Sequence, residues 1–303
     1  MLSEPDLNRI WFGCGNFGGM GSSPQFRHSG DSEDRALELL DHARRVGLRR
    51  FDTANTYGGG VSETVLGKWL RAQGPAFRET VKVATKVGNP TGCPSGEAPL
   101  SRAQIAHHLD ESLRRLGIEW IDVYYIHEFD RVTPLQEVLE AMARAIDAGK
   151  IDGFGVSNAS LTDVKVVRNH APSRLLSRFE YVQNEYNLLA LDDAGALIPW
   201  CAESGFRYTA FSPLAGGLLT GKYRPGEEPP AGSRLAHAAD IYSGYLNQES
   251  FAAIDRLRRS AEQLNMRVAE RALRFVLYTP GVDGLIIAPR RVEHFQGLGL
   301  AGR

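Results

Sequence analysis

Cysteine is scarce and dispersed in this chain: Cys14, Cys93 and Cys201 are odd in number and far apart. That spacing argues against a disulfide framework, lacks the clustering of a metal site, and suits a reducing, cytoplasmic setting. Long apolar runs are missing too. No uninterrupted stretch approaches the roughly 20 residues of a membrane-crossing helix, and Met1-Leu2-Ser3-Glu4-Pro5-Asp6 does not read as a signal peptide. No excess of charge exists either: 35 Lys and Arg against 36 Asp and Glu give a formal net charge of −1. With a pI near 6.7, there is no electrostatic footprint for nucleic acid or an anionic membrane. Nor does any strand run into G-x-G-x-x-G. Gly13-Cys14-Gly15-Asn16-Phe17-Gly18 comes nearest, without the third-glycine spacing or an immediate helix. A nucleophile elbow, a P-loop and a zinc-hydrolase motif are likewise missing, so nothing points to hydrolysis or phosphoryl transfer.

What is abundant is glycine, at 32 of 303 residues, often just after short apolar runs. Those runs alternate with helical patterns along the whole chain. Asn8–Gly13 reads as a first strand, Ser32 to about Val46 as a helix ending at Gly47, and Phe51-Asp52 as the end of a second strand. Ser62-Glu63-Thr64 reads as the cap of a helix carrying Val65, Leu66, Trp69 and Leu70. Strands follow at Thr80–Lys86 and Trp120–His127, separated by the Gly88–Pro99 loop and an amphipathic helix with Ile105, Leu109, Leu113 and Leu116. Then come a helix over Pro134–Ala148, a strand over Ile151–Ser157 and a helix over Ser160–Asn169. Tyr181–Tyr186, a helix near Asp193–Ser204 and Arg207–Phe211 continue the alternation. Gly221–Gly244, rich in Gly, Pro and charge, is long enough to be functional or mobile. Helices over Glu249–Leu264 and Val268–Leu277 precede an eighth strand at Val282–Ile287. About eight strand–helix units with nothing resembling a linker predict one (β/α)8 barrel domain over residues 1–303. A doubly wound sheet is the runner-up.

On such a barrel, chemistry is built at the carboxyl ends of the strands. Asp52 ends the second strand, Lys86 the third and His127 the fourth, and Tyr57 leaves the second strand on its loop. Taken singly, Asp52 caps a turn, Tyr57 packs a loop, Lys86 is a solvated charge and His127 a core histidine. Four such groups on adjacent strand ends form an acid/base set. A phenol with pKa near 10 is a poor donor at neutral pH unless its phenolate is stabilised. An ammonium beside it does that, a carboxylate holds the ammonium, and a histidine opposite can donate to a carbonyl oxygen.

Phe51-Asp52-Thr53-Ala54 to Tyr57-Gly58, Thr85-Lys86, and Ile121-Asp122-Val123-Tyr124-Tyr125-Ile126-His127 resemble the signatures of the aldo-keto reductases. The resemblance continues through Gly149-Lys150-Ile151, Gly155-Val156-Ser157-Asn158 and Gln183-Asn184-Glu185-Tyr186-Asn187. It includes Phe211-Ser212-Pro213-Leu214-Ala215-Gly216-Gly217 and Leu218-Leu219-Thr220-Gly221-Lys222-Tyr223, covering roughly Gly13 to Glu293. It implies a (β/α)8 barrel that binds an extended nicotinamide cofactor without a Rossmann domain, with a catalytic tetrad of Asp52, Tyr57, Lys86 and His127. The implied reaction is NADPH-dependent reduction of a small aldehyde or ketone, hydride passing to the carbonyl carbon and Tyr57 protonating the oxygen. Ser157, Asn158 and Gln183 would hold the nicotinamide carboxamide and Phe211 would stack on its ring. Ser212, Leu214, Gly216 and Leu218 would line the pyrophosphate loop with Lys222, small residues letting backbone amides approach the anion. Arg290 and Arg291, after the eighth strand, would read the 2′-phosphate as an arginine fork. Phe17, Met20 and Glu128 would line the substrate pocket.

The chain departs from the pattern at its ends. Ala288, Arg290, His294 and Leu298 stand where the family usually has a glycine, a basic or polar residue, Gln or Arg, and an adenine-contacting Asn. A shortened N-terminal hairpin and a truncated C-terminal tail are expected. The identity of the carbonyl compound and the oligomeric state are not legible. A regulatory subunit that senses nicotinamide cofactor with little turnover is the alternative reading.

Overall fold

The structure is a computed structural model that describes residues 2–93 and 96–300. Eight strands run parallel: β1 (Ile10–Gly13), β2 (Arg50–Asp52), β3 (Lys82–Val87), β4 (Ile121–Ile126), β5 (Ile151–Ser157), β6 (Phe179–Glu185), β7 (Arg207–Phe211) and β8 (Val282–Ile287). Each pairs with the next, and β8 returns to β1 through Ile10↔Leu285 and Phe12↔Ile287. Closure leaves no unpaired edge. Helices stand between successive strands, so the expected (β/α)8 architecture is the one adopted.

Side chains alternate across each strand, which divides the core into two parts. Inward residues Trp11, Ala84, Val123, Tyr125, Tyr181 and Ile286 fill the barrel. Outward residues such as Phe12, Phe51, Val83, Tyr124 and Phe154 pack beneath the helices. Two glycines of β5 make room for the inner tyrosines: a Cβ at Gly155 would lie 2.5 Å from the Tyr125 ring, and one at Gly153 2.9 Å from the Tyr181 ring. The helix Glu33–Arg45 shows how local signals and core agree. Ser32 caps it by accepting from the Arg35 amide, Leu39, Leu40 and Ala43 are buried, and Gly47 past its end takes φ +96°.

Several expected boundaries move, for long-range reasons. Ser62 is no cap. The helix Val61–Gln73 starts straight out of the left-handed Gly58-Gly59-Gly60 turn, and the Ser62 hydroxyl is buried, donating to the Cys14 carbonyl at 2.8 Å and bonded to Thr53 Oγ1 at 2.7 Å. Asp193 opens no α-helix: Asp192–Gly195 is a 3-10 turn and the helix is Leu197–Ser204. Its carboxylate instead accepts from Asn184 and from the Tyr208 hydroxyl. At the N-terminus a short helix, Glu4–Leu7, capped by Ser3, precedes β1. Within Gly221–Gly244 a helix forms at Arg234–Tyr242. After β8 the helix Val292–Gly297 seats Phe295 against Phe12, rings 6.2 Å apart and stacked. Within the Gly88–Pro99 loop, Pro94 and Ser95 lie outside the described residues, as do Ala301–Arg303 of the expected truncated tail.

Gly67 sits in the helix Val61–Gln73 where it crosses Arg102–Leu116. A Cβ there would lie 2.3 Å from the Arg115 carbonyl oxygen and 2.5 Å from that of Leu116. Backbone cannot step aside as a side chain would. Although alanine is the better helix former by about 1 kcal/mol, overpacking of this kind costs about 1–3 kcal/mol and more when backbone must move. Gly67→Ala should therefore lower unfolding stability by about 2 kcal/mol in a denaturant titration, and an unchanged or raised midpoint would refute the contact.

Candidate active site

The carboxyl ends of β2, β3 and β4 bring four side chains together. Asp52 ends β2, Lys86 lies two positions beyond the Asp52↔Ala84 pair on β3, and His127 follows β4, its amide donating to the Val87 carbonyl at 2.7 Å. Tyr57 reaches the same place from the turn after β2. That turn needs glycine: Gly58, Gly59 and Gly60 all have positive φ, and a Cβ at Gly58 would lie 2.5 Å from the Phe17 carbonyl oxygen.

Lys86 is the hub. Its ammonium is 1% exposed and donates to Asp52 Oδ1 at 2.6 Å, to the Thr53 carbonyl at 2.8 Å and to the Tyr57 hydroxyl at 3.4 Å. The second Asp52 oxygen accepts from Gln183 Nε2 at 2.9 Å. Burial works against the Lys86 charge, but the adjoining Asp52 and Tyr57 outweigh it and hold its pKa above the ordinary value, so the group stays an ammonium. For Tyr57 the order is reversed. Burial raises the phenol pKa, Lys86 pulls it down, and the balance lies above 10. The hydroxyl is therefore protonated at neutral pH, and the residue is partly exposed.

His127 meets the Tyr57 ring edge-on, centroids 5.7 Å apart. Burial, helped by the Lys86 charge, lowers its pKa to about 3. Its Nδ1 is buried with no partner, while its carbonyl accepts from Asn158 Nδ2 at 3.0 Å. A neutral imidazole has one N–H to give. Together the four groups present two neutral donors around one buried ion pair.

The neighbouring strand ends carry the other expected residues. Ser157 is buried beside Asn158, which has φ +52°. Phe211 ends β7 with its ring half-exposed above the inner core. Beyond it, Ser212, Ala215, Gly216 and Gly217 all have positive φ, between +44° and +98°. Left-handed backbone costs a residue with a Cβ about 1–2 kcal/mol. Three of the six non-glycine cases among the described residues, Asn158, Ser212 and Ala215, lie on this rim, and such strain clusters where backbone meets a ligand. Leu214 is half-buried and Leu218 fully buried in a satellite core. Lys222 lies over Gly217, 3.3 Å from where its Cβ would stand. The residues present therefore fit a flat ring on Phe211 and an anion at the loop that follows.

Two residues sit differently from the expectation, and a third departs from the family pattern as expected. Arg290 is not a free fork: its Nε faces Asp31 Oδ1 at 3.4 Å, and of the two arginines only Arg291 is exposed. Phe17 packs into the main core against Phe12, rings 6.0 Å apart. At 2% exposure it belongs to that core. Leu298, at the expected adenine position, is 4% exposed and part of the same core. Met20 is buried outside the apolar clusters, and Glu128 accepts from Asn89 Nδ2 at 2.8 Å at the rim. Sequence reasoning missed Asp31, Arg234, which donates to Asn16 Oδ1 at 2.7 Å across 218 residues, and Glu63, buried between Arg115 and Thr85. None carries a local signal, since each is defined by a distant partner.

The profile described as the aldo/keto reductase family matches residues 9–298. The chain belongs to that family. It is 33% identical over 299 residues to the uncharacterized oxidoreductase YrpG of Bacillus subtilis, covering 96% of this chain and 86% of that one. It is 31% identical over 269 residues to the L-glyceraldehyde 3-phosphate reductase of Escherichia coli K12, covering 85% and 76%. Among solved structures, the glycerol dehydrogenase AKR11B4 of Gluconobacter oxydans superposes with a TM-score of 0.77 at 26% identity, over 96% of this chain and 85% of that one. The chain is thus an oxidoreductase that uses a nicotinamide cofactor and acts on small-molecule carbonyl compounds. No helix among the described residues is long and apolar enough to cross a membrane.

The His127 environment has a sharp signature. With its folded pKa far below the ordinary 6.5, the ring is expected to remain neutral across pH 5–8 in imidazole 15N NMR. The unfolded chain takes up this proton near pH 6.5. His127 therefore stabilises the fold above that pH, and the contribution fades as pH falls from about 6.5 towards 3. A midpoint near 6.5 in the folded protein would show the ring to be solvated.

Proposed function

We propose that this protein reduces an aldehyde or ketone to the alcohol with NADPH, Tyr57 serving as general acid. The observation that carries this reading is the Asp52–Lys86–Tyr57 chain at the barrel mouth, with neutral His127 across the phenol ring. A bound reduced nicotinamide supplies the hydride. Tyr57 gives its proton to the oxygen that becomes the alcohol, and Lys86 stabilises the phenolate left behind. Asp52, fixed by Gln183, keeps Lys86 charged and in place. His127 orients and polarises the carbonyl by donating from its neutral ring. Ser157, Asn158 and Phe211 hold and orient the nicotinamide, and Gln183 joins them with the face not used by Asp52. Ser212, Leu214, Gly216, Leu218 and Lys222 form the pyrophosphate loop, and Met20 and Glu128 border the substrate.

Tyr57→Phe tests the assignment. It should lower kcat for carbonyl reduction by about 10²–10⁴-fold, the usual worth of general acid catalysis, with nucleotide Kd nearly unchanged. A variant within about threefold of the native rate would remove Tyr57 as donor. Tight nucleotide binding by the native protein, with no oxidation across a panel of sugars, keto acids, pyridoxal and aromatic aldehydes, would instead favour a cofactor-sensing subunit.

The choice of NADPH rests on converging charge. Burial lowers the His294 pKa, Lys222, Arg291 and Arg290 push it further down and Glu293 opposes them, so three cations surround a neutral imidazole, with Glu293 and Asp31 as counter-charges. A phosphate dianion suits that place. NADPH should bind at least tenfold more tightly than NADH, about 1.4 kcal/mol, measured by fluorescence titration at fixed salt. Arg290→Ala should erode that ratio chiefly by weakening NADPH, and Asp31→Asn should widen it by freeing Arg290. Equal affinities in the native protein would reject the 2′-phosphate reading.

A further inference from the structure

The barrel has a second mouth, at the amino ends of the strands, facing away from Tyr57 and His127. A cavity of about 250 Å³ lies there, its walls including Arg9, Trp11, Arg50, Tyr181, Arg207 and Asp283. Arg50 is the first residue of β2, two positions before Asp52, so strand alternation turns both inward at opposite ends. Its guanidinium lies over the Trp11 ring, 5.4 Å from the centroid. No carboxylate or carbonyl among the described residues accepts from it. Arg207, at the start of β7, lies over the neighbouring Tyr181 ring at 5.7 Å, and its Nε faces Glu180 Oε2 at 3.5 Å on the outer side. Arg9 has turned its N–H groups to the carbonyls of Leu277, Val282 and Asp283, yet its charge remains. Against three guanidinium groups the lining offers one carboxylate, Asp283, and one of its oxygens already accepts the Tyr208 amide at 2.8 Å.

We propose that this mouth is a binding site for a small oxyanion, gripped by Arg50 with Arg207 on the facing wall. A half-buried guanidinium with no acceptor is unusual, since charges leave water in company of a partner. Here the register partner on β3 is Lys82, and another arginine, Arg207, shares the cavity wall. Burial is the largest influence against the Arg50 charge and Arg207 adds to it, while Tyr181, Tyr125 and Asp283 only partly offset them, so its pKa lies below the ordinary value. An anion between the two arginines removes that repulsion and meets a planar fork of donors suited to phosphate or carboxylate. Stacking on Trp11 holds the fork ready, so little side-chain freedom is lost on binding. Size sets the class of ligand. The cavity falls below the roughly 300–1,000 Å³ of drug-sized pockets, which leaves inorganic phosphate or a short carboxylate and excludes a nucleotide. The site is independent of the reductase reading, because none of its residues belongs to the cofactor or catalytic set.

Inorganic phosphate is the probe, added to the full chain with chloride adjusted to constant ionic strength, and acetate run alongside. The thermal midpoint should rise saturably with phosphate and not with chloride. An equal or larger rise with acetate would assign a carboxylate as the occupant. Arg50→Met, which keeps the apolar stem on Trp11, and Arg207→Met should each raise the half-saturating concentration at least tenfold while leaving carbonyl reduction unchanged. Asp283→Asn, which keeps an acceptor for the Tyr208 amide, should lower it. Arg290→Ala separates this site from the cofactor cleft and should leave the phosphate response intact. The proposal fails if neither oxyanion exceeds chloride. It also fails if both methionine variants respond as the native chain does, or if Arg290→Ala alone abolishes the effect.

Discussion

A lysine ammonium sealed inside the rim of a barrel is the constraint on which the active site depends. Lys86 is 1% exposed, and an unpartnered charge so placed would lose its proton or unfold the rim. Asp52 supplies the partner from the adjacent strand, and parallel register makes the meeting inevitable: Asp52 pairs with Ala84, and Lys86 is the next inward position along β3. The carboxylate is itself held from β6 by Gln183. Three strands are thus tied through one ion pair. Tyr57 can complete the set only because three successive glycines turn the chain back over the rim within a few residues of Asp52.

That ion pair also divides the labour between the two uncharged groups. Burial raises an acid that ionises to an anion and lowers a base that ionises to a cation. Tyr57 and His127 face the same cation, yet respond oppositely to burial, and both end neutral at ordinary pH. Lys86 pulls against burial at Tyr57 and with it at His127. The ammonium therefore leaves the phenol its proton while easing its departure, and holds the imidazole as a neutral donor. One charge sets both protonation states.

Legibility in the sequence followed the range of the interaction. Strand ends were readable because alternation and the glycine turns are local, and Asp52, Lys86 and His127 needed only the barrel's strand order to be placed side by side. The left-handed rim at Asn158, Ser212 and Ala215 coincides with positions the family resemblance had marked, though no residue type there announces positive φ. What stayed hidden depended on partners far along the chain. Ser62 looks like a cap until Cys14 and Thr53 take its hydroxyl. Asp193 looks like a helix start until Tyr208 and Asn184 claim its carboxylate. Arg290 looks like a free fork until Asp31, 259 residues earlier, sits against it. Phe17 looks like a pocket wall until its ring turns to Phe12.

The two mouths of the barrel show the same rule applied with opposite outcomes. Strand β2 is three residues long and carries an inward charge at each end, Arg50 below and Asp52 above. Above, the neighbouring strand provides the opposite charge, and the pair closes on itself at 2.6 Å. Below, the register partner of Arg50 is Lys82, and the guanidinium across the cavity belongs to Arg207. Alternation alone fixes where these side chains point, so the difference lies wholly in which residues the adjacent strands contribute. An end whose charges cancel internally can devote its remaining donors, the Tyr57 hydroxyl and the His127 ring, to a neutral carbonyl. Below, Arg9 is satisfied by carbonyls and Arg207 faces Glu180, which leaves Arg50 as the inward fork with no acceptor of its own. On the proposal above an oxyanion from solution completes that fork, and its planar donor geometry decides which ions fit.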